Sequence, residues 1–280
     1  MLIIENEQLK NITNYRVGGI IPKLYIIESI LDIGLIDKKD LEESYIIGGG
    51  MNVLANDKGI KKPVLKIDIK LASIEDNILT IGAGDTINSA SLRLALLGFK
   101  CFHNLAGIPG TIGGGLTMNA GASKSNISDN LLSVKCYNRK KGEIEILKKG
   151  DCVFGFRESI FKKIDDLIIL SADFNLVKTD KQELIDLYNK INKDRREKFP
   201  CFFSSVGCIF KKPYGGKDII EKIGMSGKIK GGAIVSPLFP AFILNYNGAT
   251  FEDIMGLIKE IQEKAKKIGE EMPLEVVVWE

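Results

Sequence analysis

A single histidine, His103, stands in 280 residues. No mechanism that needs two imidazoles, and no histidine-rich metal site, can be built from this chain. A Ser-His-Asp hydrolase is disfavoured on the same ground. Cysteine is sparse and odd in number: Cys101, Cys136, Cys152, Cys201 and Cys208, with no Cys-x-x-Cys spacing. That argues against a disulfide framework and a zinc site, and no metal is expected. Cys101, Cys136, Cys152 and Cys201 read as small buried hydrophobes. No Gly-Lys-Ser/Thr occurs, which excludes a P-loop, and Gly48-x-Gly50-x-x-Val53 lacks the third glycine of a Rossmann fingerprint. The net charge is only +3, without a basic stripe interleaved with aromatics, so nucleic acid is not an expected partner. No apolar run reaches membrane-spanning length, and the N-terminus has no basic segment followed by an apolar core. A cytoplasmic protein without membrane insertion is expected, and no protein partner is predicted.

Glycine, by contrast, is concentrated. Gly48-Gly49-Gly50-Met51-Asn52 and Gly107-Ile108-Pro109-Gly110-Thr111-Ile112-Gly113-Gly114-Gly115 lie about sixty positions apart. Each sets bare amides where a pyrophosphate could lie, because glycine permits both close approach and the positive φ of an anion nest. One such run is more often a tight turn. Two together point to a dinucleotide cofactor.

Around these clusters the pattern alternates between strand and helix. Residues 24–27, 44–47 and 63–69 read as short apolar strands and make a leading lobe, 1–70. Residues 79–81, 131–137, 143–147 and 167–176 read as strands of a second lobe, 71–199, with a helix over 86–97 capped by Asp85. Asp180, with Glu183 three positions on, opens a helix whose buried stripe is Leu184, Leu187, Tyr188 and Ile191. A third lobe, 200–271, ends in a long helix from Thr250, with Asp253 completing a capping box, Ile254, Leu257, Ile258, Ile261 and Ala265 inside, and Gly269 as the stop. The final strand, 272–280, is expected to return to the second lobe.

Three segments carry reactive side chains among apolar neighbours: residues 154–159 with Arg157, residues 205–211 with Cys208, and residues 274–278 with Glu275. They supply a permanently charged fork suited to a carboxylate, a thiol that can give up a proton, and a carboxyl on a terminal strand. Taken singly, each could equally be structural.

The ordered set resembles the UDP-N-acetylenolpyruvoylglucosamine reductases, also called UDP-N-acetylmuramate dehydrogenases or MurB. The resemblance is carried by residues 13–19 (Thr-Asn-Tyr-Arg-Val-Gly-Gly), 48–52, 106–122, 154–161, 195–198, 206–213 and 231–245, and by Glu275. The short stretch between Phe161 and Arg195 matches the family's shorter subtype. The resemblance implies an α+β protein: a vanillyl-alcohol-oxidase-like (PCMH-type) FAD-binding fold of two lobes, plus a small α/β substrate-binding domain. It implies bound FAD with NADPH as hydride donor, and a UDP-sugar as substrate. Gly48, Gly49, Gly50 and Asn52, with Gly110, Thr111, Gly113 and Gly114, would supply donors around the pyrophosphate and ribityl chain, and Asn119 and Gly121 would lie near the flavin. Arg157 and Glu275 would flank the substrate carboxylate, Cys208 would deliver a proton where the family more often has serine, and Lys198 would reach the substrate phosphates.

Several positions depart from the family pattern. Met51 replaces a serine, Phe239 a histidine and Val277 an arginine, Glu280 stands where glycine is typical, and His103 stands where glutamate is frequent. These leave two other expectations open: another FAD-dependent oxidoreductase of the same fold acting on a sugar or alcohol, or a non-catalytic flavin-binding paralogue.

Overall fold

The computed structural model describes residues 1–122 and 125–280. Contacts gather these residues into two compact units, one of Met1–Ile4, Lys23–Gly49 and Lys62–Asp194, the other of Glu5–Pro22, Gly50–Lys61 and Arg195–Glu280. The helices are α1 (Lys38–Glu43), α2 (Ile87–Leu97), α3 (Ile112–Thr117), α4 (Ile160–Lys163), α5 (Lys181–Lys198), α6 (Lys217–Lys222) and α7 (Phe251–Lys267).

Two larger sheets organise the first unit, beside the short pairs Gly121–Ala122 with Ser125–Asn126 and Phe99–Lys100 with Val177–Lys178. In one, Val64–Ile67 pairs in parallel with Ile20–Ile27 on one side and Tyr45–Ile47 on the other. The other is antiparallel, in the order Glu143–Lys148, Leu131–Asn138, Leu167–Asn175, Ile78–Gly82, Ala72–Glu75. The strands expected at 24–27, 44–47, 63–69, 79–81, 131–137, 143–147 and 167–176 fall on these elements. The core joins Leu65, Ile81, Leu94, Ile112 and Leu170 to an edge-on pair, Phe102 and Phe174, with ring centroids 4.8 Å apart. Arg139 is buried in this unit and donates to the carbonyls of Leu41 (3.1 Å) and Ser44 (2.8 Å), satisfying carbonyls at the end of α1.

Two local expectations need correction. The N-cap of α2 is Thr86, whose Oγ1 accepts from Ser89 N at 3.2 Å. Asp85 instead accepts from Leu71 N at 3.1 Å and pairs with Arg93 at 2.7 Å, so its carboxylate serves the turn before the helix. In α5, Asp180 accepts from Glu183 N at 2.8 Å as expected, but only Leu184 of the anticipated stripe is buried, and Leu187, Tyr188 and Ile191 are half-buried.

The second unit is built on α7 and an antiparallel sheet, Ile229–Lys230, Ala233–Val235 and Ile243–Asn245. Thr250 and Asp253 form the capping box of α7, and Ile254, Leu257, Ile258, Ile261 and Ala265 are buried. These are the residues the helical period selects. Gly269, at φ +78°, follows the last turn. The units do not follow the three consecutive lobes expected. Tyr15, Val17 and Leu54 join the core of Ile209, Phe210 and Ile258, and Tyr15 Oη donates to Ile243 O at 3.0 Å. Early residues thus fold with the C-terminal third. The last strand, Val277–Trp279, pairs in parallel with Val53–Ala55 rather than returning to residues 71–199.

Cys101, Cys136 and Cys152 are buried, and burial pushes their thiols up to about 12, 12 and 11. Cys201 is exposed, against expectation. No helix among the described residues is long and apolar enough to cross a membrane.

Candidate active site

In the first unit the two glycine clusters meet. A methyl placed on Gly48 would collide with Thr111 Oγ1 and come within 3.6 Å of Gly114 N, so only glycine lets the first cluster lie against the second. Among the described residues no hydrogen bond takes up the N–H of Gly48 or Gly49. Thr111 caps α3, accepting from Gly114 N at 3.3 Å, and Gly110, at φ +110°, turns the chain into it while its carbonyl accepts from Ile87 N at 3.0 Å. Gly113 differs from expectation: its N–H donates to Ala83 O at 2.9 Å. An added methyl there would lie 3.0 Å from Ala83 Cβ. The contribution of Gly113 is therefore close backbone packing, because its donor is spent inside the fold. The bare, closely apposed main chain at Gly48 and Gly49 fits a cofactor diphosphate.

Arg157 sits on a tight turn, at φ +57°, closed by Gly155 N donating to Glu158 O at 3.0 Å. Its guanidinium donates to Asn119 O at 3.3 Å and Gly121 O at 3.0 Å. Asn119 is itself held, its Nδ2 donating to Gly155 O at 2.9 Å and its Oδ1 accepting from Ser128 Oγ at 2.8 Å. Ser159, fully buried, donates to Thr117 O at 2.7 Å. The loop that carries Arg157 is thus tied to the end of α3. Three predicted residues, Asn119, Gly121 and Arg157, form one hydrogen-bonded group.

In the second unit Cys208 and Glu275 lie on neighbouring backbone-paired segments. Glu275 N donates to Ile209 O at 2.8 Å, and Ile209 N to Ala241 O at 3.0 Å. Both side chains are half-buried, whereas Ile209 between the segments is fully buried. Gly215, at φ +65°, packs on the thiol: a methyl there would lie 2.8 Å from Cys208 Sγ. Arg195 stacks 5.0 Å from the centroid of Phe199. Burial lowers its pKa, while the Cys201 and Cys208 thiols raise it. Asn52 Nδ2 donates to Glu275 O at 3.0 Å, so its amide anchors the segment that carries Glu275. Gly50, at φ +66°, is pressed against Ile12 O and its carbonyl accepts from Asn14 N. Lys198 is exposed at the end of α5.

The departures have structural roles. Phe239 packs edge-on against Phe199 at 4.9 Å. Val277 N donates to Asn52 O at 3.0 Å. His103 keeps a buried Nδ1 with no partner among the described residues, and burial, then Lys100, lowers its pKa, so its imidazole is neutral near pH 7. Gly215 carries no signal in the sequence, and Arg195 and Asn14 lie within the resembling segments 195–198 and 13–19 without a role assigned to them there.

Residues 38–148 match the family described as FAD binding domain. With the apposed glycine turns, this makes the chain an FAD-dependent oxidoreductase of the α+β, vanillyl-alcohol-oxidase-like type. Residues 196–279 match the family described as UDP-N-acetylenolpyruvoylglucosamine reductase, C-terminal domain. The enzyme of that name from Thermosipho melanesiensis is 34% identical over 98% of this chain and 94% of its own length, and the one from Bacillus pumilus is 36% identical over 95% and 89%. The crystal structure of the Thermus caldophilus reductase superposes with a TM-score of 0.85 at 25% identity, covering 100% of this chain and 98% of that one. The chain belongs to the UDP-N-acetylenolpyruvoylglucosamine reductase family.

Proposed function

We propose that this protein reduces UDP-N-acetylglucosamine enolpyruvate to UDP-N-acetylmuramate with NADPH, in the cytoplasm, as a step in building peptidoglycan precursors. The observation that carries the reading is the placement of Cys208 and Glu275 on directly paired segments of one unit, which joins a proton source to a carboxyl. Gly48, Gly49, Gly50, Gly110, Thr111 and Gly114 hold FAD, with Gly113 shaping the turn and Asn119 and Gly121 beside the flavin. When bound, FAD would supply the hydride, taken from NADPH, that adds to the terminal vinyl carbon of the substrate.

Hydride arrival drives the vinyl π electrons into the neighbouring carboxylate, so the site must hold an enediolate-like dianion and then protonate the inner carbon. Arg157 clamps the carboxylate. Its planar fork is set by two carbonyls. Glu275, protonated when it acts, donates a hydrogen bond to the same group. Cys208 gives its proton to the inner carbon and is left as a thiolate. A thiol, with an ordinary pKa of about 8.5, releases a proton far more readily than the alcohol it replaces. Lys198 meets the substrate phosphates.

The balance is one hydride and one proton added across one carbon–carbon double bond. Anaerobic stopped-flow absorbance in the flavin band tests the reading. NADPH should bleach the holoprotein, and the enolpyruvyl sugar nucleotide should restore the colour. A protein bleached by NADPH yet indifferent to that substrate would refute the assignment, and turnover with oxygen and an alcohol or sugar would favour an oxidase.

A further inference from the structure

Two asparagines connect the turn at residues 50–52 to the segments that bear Cys208 and Glu275. Asn14 N donates to Gly50 O at 3.0 Å, and Asn14 Nδ2 donates to Ser205 O, three residues before Cys208. Asn52 works in the other direction. Its Nδ2 donates to Glu275 O at 3.0 Å, while its own carbonyl accepts from Val277 N at 3.0 Å. It therefore grips the main chain on both sides of Val276, which is buried. The strand that follows has only three residues and, among the described residues, pairs with Val53–Ala55 alone. An element held so sparsely opens locally unless something ties it down. Neither contact reaches the Glu275 carboxyl. Both fix the backbone from which it projects.

We infer that Asn52 is a positioning residue for Glu275, and that Asn14 serves the Cys208 segment in the same way, so that one turn sets both. The inference rests on the roles proposed above for Glu275 and Cys208. Displacing a reacting group by about 1 Å costs on the order of a hundredfold in rate. Asn52→Ala, which deletes the bond to the Glu275 carbonyl, should therefore slow reoxidation by the enolpyruvyl sugar nucleotide about ten- to hundredfold more than it slows reduction by NADPH.

The test measures both half-reactions by anaerobic stopped flow for wild type, Asn52→Ala, Glu275→Gln and the double variant. It also follows hydrogen exchange of the 272–280 peptide in the apoproteins. If Asn52 acts through Glu275, the double variant is no slower in reoxidation than Glu275→Gln alone, and the 272–280 amides of Asn52→Ala exchange faster than in wild type. Asn52→Gln, which keeps an amide donor, should recover part of the rate. It also carries the test if Asn52→Ala does not accumulate as holoprotein. Asn14→Ala should show the same split, with non-additivity against Cys208→Ala. Equal slowing of the two half-reactions, or penalties that multiply in the double variant, would overturn the inference while leaving the function intact. Full reoxidation rates in Glu275→Gln would instead remove the role of Glu275.

Discussion

Gly48→Ala is the sharpest perturbation of the cofactor cradle. The added methyl meets Thr111 Oγ1 inside contact distance, while Thr111 Cβ and Gly114 N stay at 3.6 Å, so the hydroxyl is the whole of the clash. If the Thr111 side chain rotates away, α3 loses its cap, at a cost of about 1 kcal/mol. If it stays, the loop must shift, and overpacking of this kind costs about 1–3 kcal/mol. Either route costs about 1–3 kcal/mol, which lowers the melting temperature by on the order of 2–12 °C. The same displacement moves the bare amides of residues 48 and 49. FAD affinity, titrated by quenching of flavin fluorescence, should fall at least about tenfold for each 1.4 kcal/mol lost from the bound state. Thr111→Ala supplies the internal check. It removes the offending oxygen and leaves ordinary contacts, so in that background Gly48→Ala should add less than about 1 kcal/mol. Gly34→Ala is the neutral reference, since nothing lies within 4 Å of its added methyl. Melting and FAD binding like those of Gly34→Ala, or strict additivity with Thr111→Ala, would refute the packing of one cluster on the other.

Arg157→Lys keeps the charge but loses the fork that donates to Asn119 O and Gly121 O; sugar-nucleotide reduction should fall by about a hundredfold at saturating FAD, and a wild-type rate would show that charge alone suffices. Gly215→Ala puts a methyl against Cys208 Sγ at a residue with φ +65°, so it should cost about 1–2 kcal/mol of stability in thermal melts and slow reoxidation more than reduction. Asp253→Ala removes the carboxylate that accepts from Thr250 N at 3.0 Å and Gly232 N at 3.1 Å and should destabilise by about 1–2 kcal/mol in urea titrations. The bond from Thr250, then the one from Gly232, holds the Asp253 carboxyl below its ordinary value against a partial desolvation penalty. Its contribution is complete above the unfolded value of about 3.9 and is lost as pH falls through the lower folded value. The gap between wild type and Asp253→Asn should therefore narrow below about pH 4, and a gap that widened there would contradict the assignment.

Much of the fold was legible because local and global signals agreed. The capping box at Thr250 and Asp253 and the 3.6-residue stripe of α7 each pointed to the helix that forms. The failures have physical causes. Asp85 has the chemistry of a cap, but Arg93 and Leu71 N compete for its carboxylate, leaving Thr86 to cap α2. The stripe of α5 is thinner than its period implied, because only Leu184 finds full cover. Pairing of the last strand with Val53–Ala55 is a contact across more than two hundred positions, beyond anything periodicity encodes. At the site, residue types were readable and donors were not. Gly113 sits in a glycine-rich motif that resembles a phosphate cradle, yet its N–H goes to Ala83 O, and the Asn52 amide also reaches Glu275 O. Main-chain partners of this kind are set by tertiary geometry and leave no mark on composition.

The most direct test of the central claim is the single-turnover rate at which NADPH-reduced enzyme is reoxidised by the enolpyruvyl sugar nucleotide, compared between wild type and Cys208→Ala. Cys208→Ala should slow it by about a hundredfold or more, typical of a lost proton donor, with Cys208→Ser less impaired and flavin reduction by NADPH retained in both. Equal reoxidation rates in wild type and Cys208→Ala would contradict it.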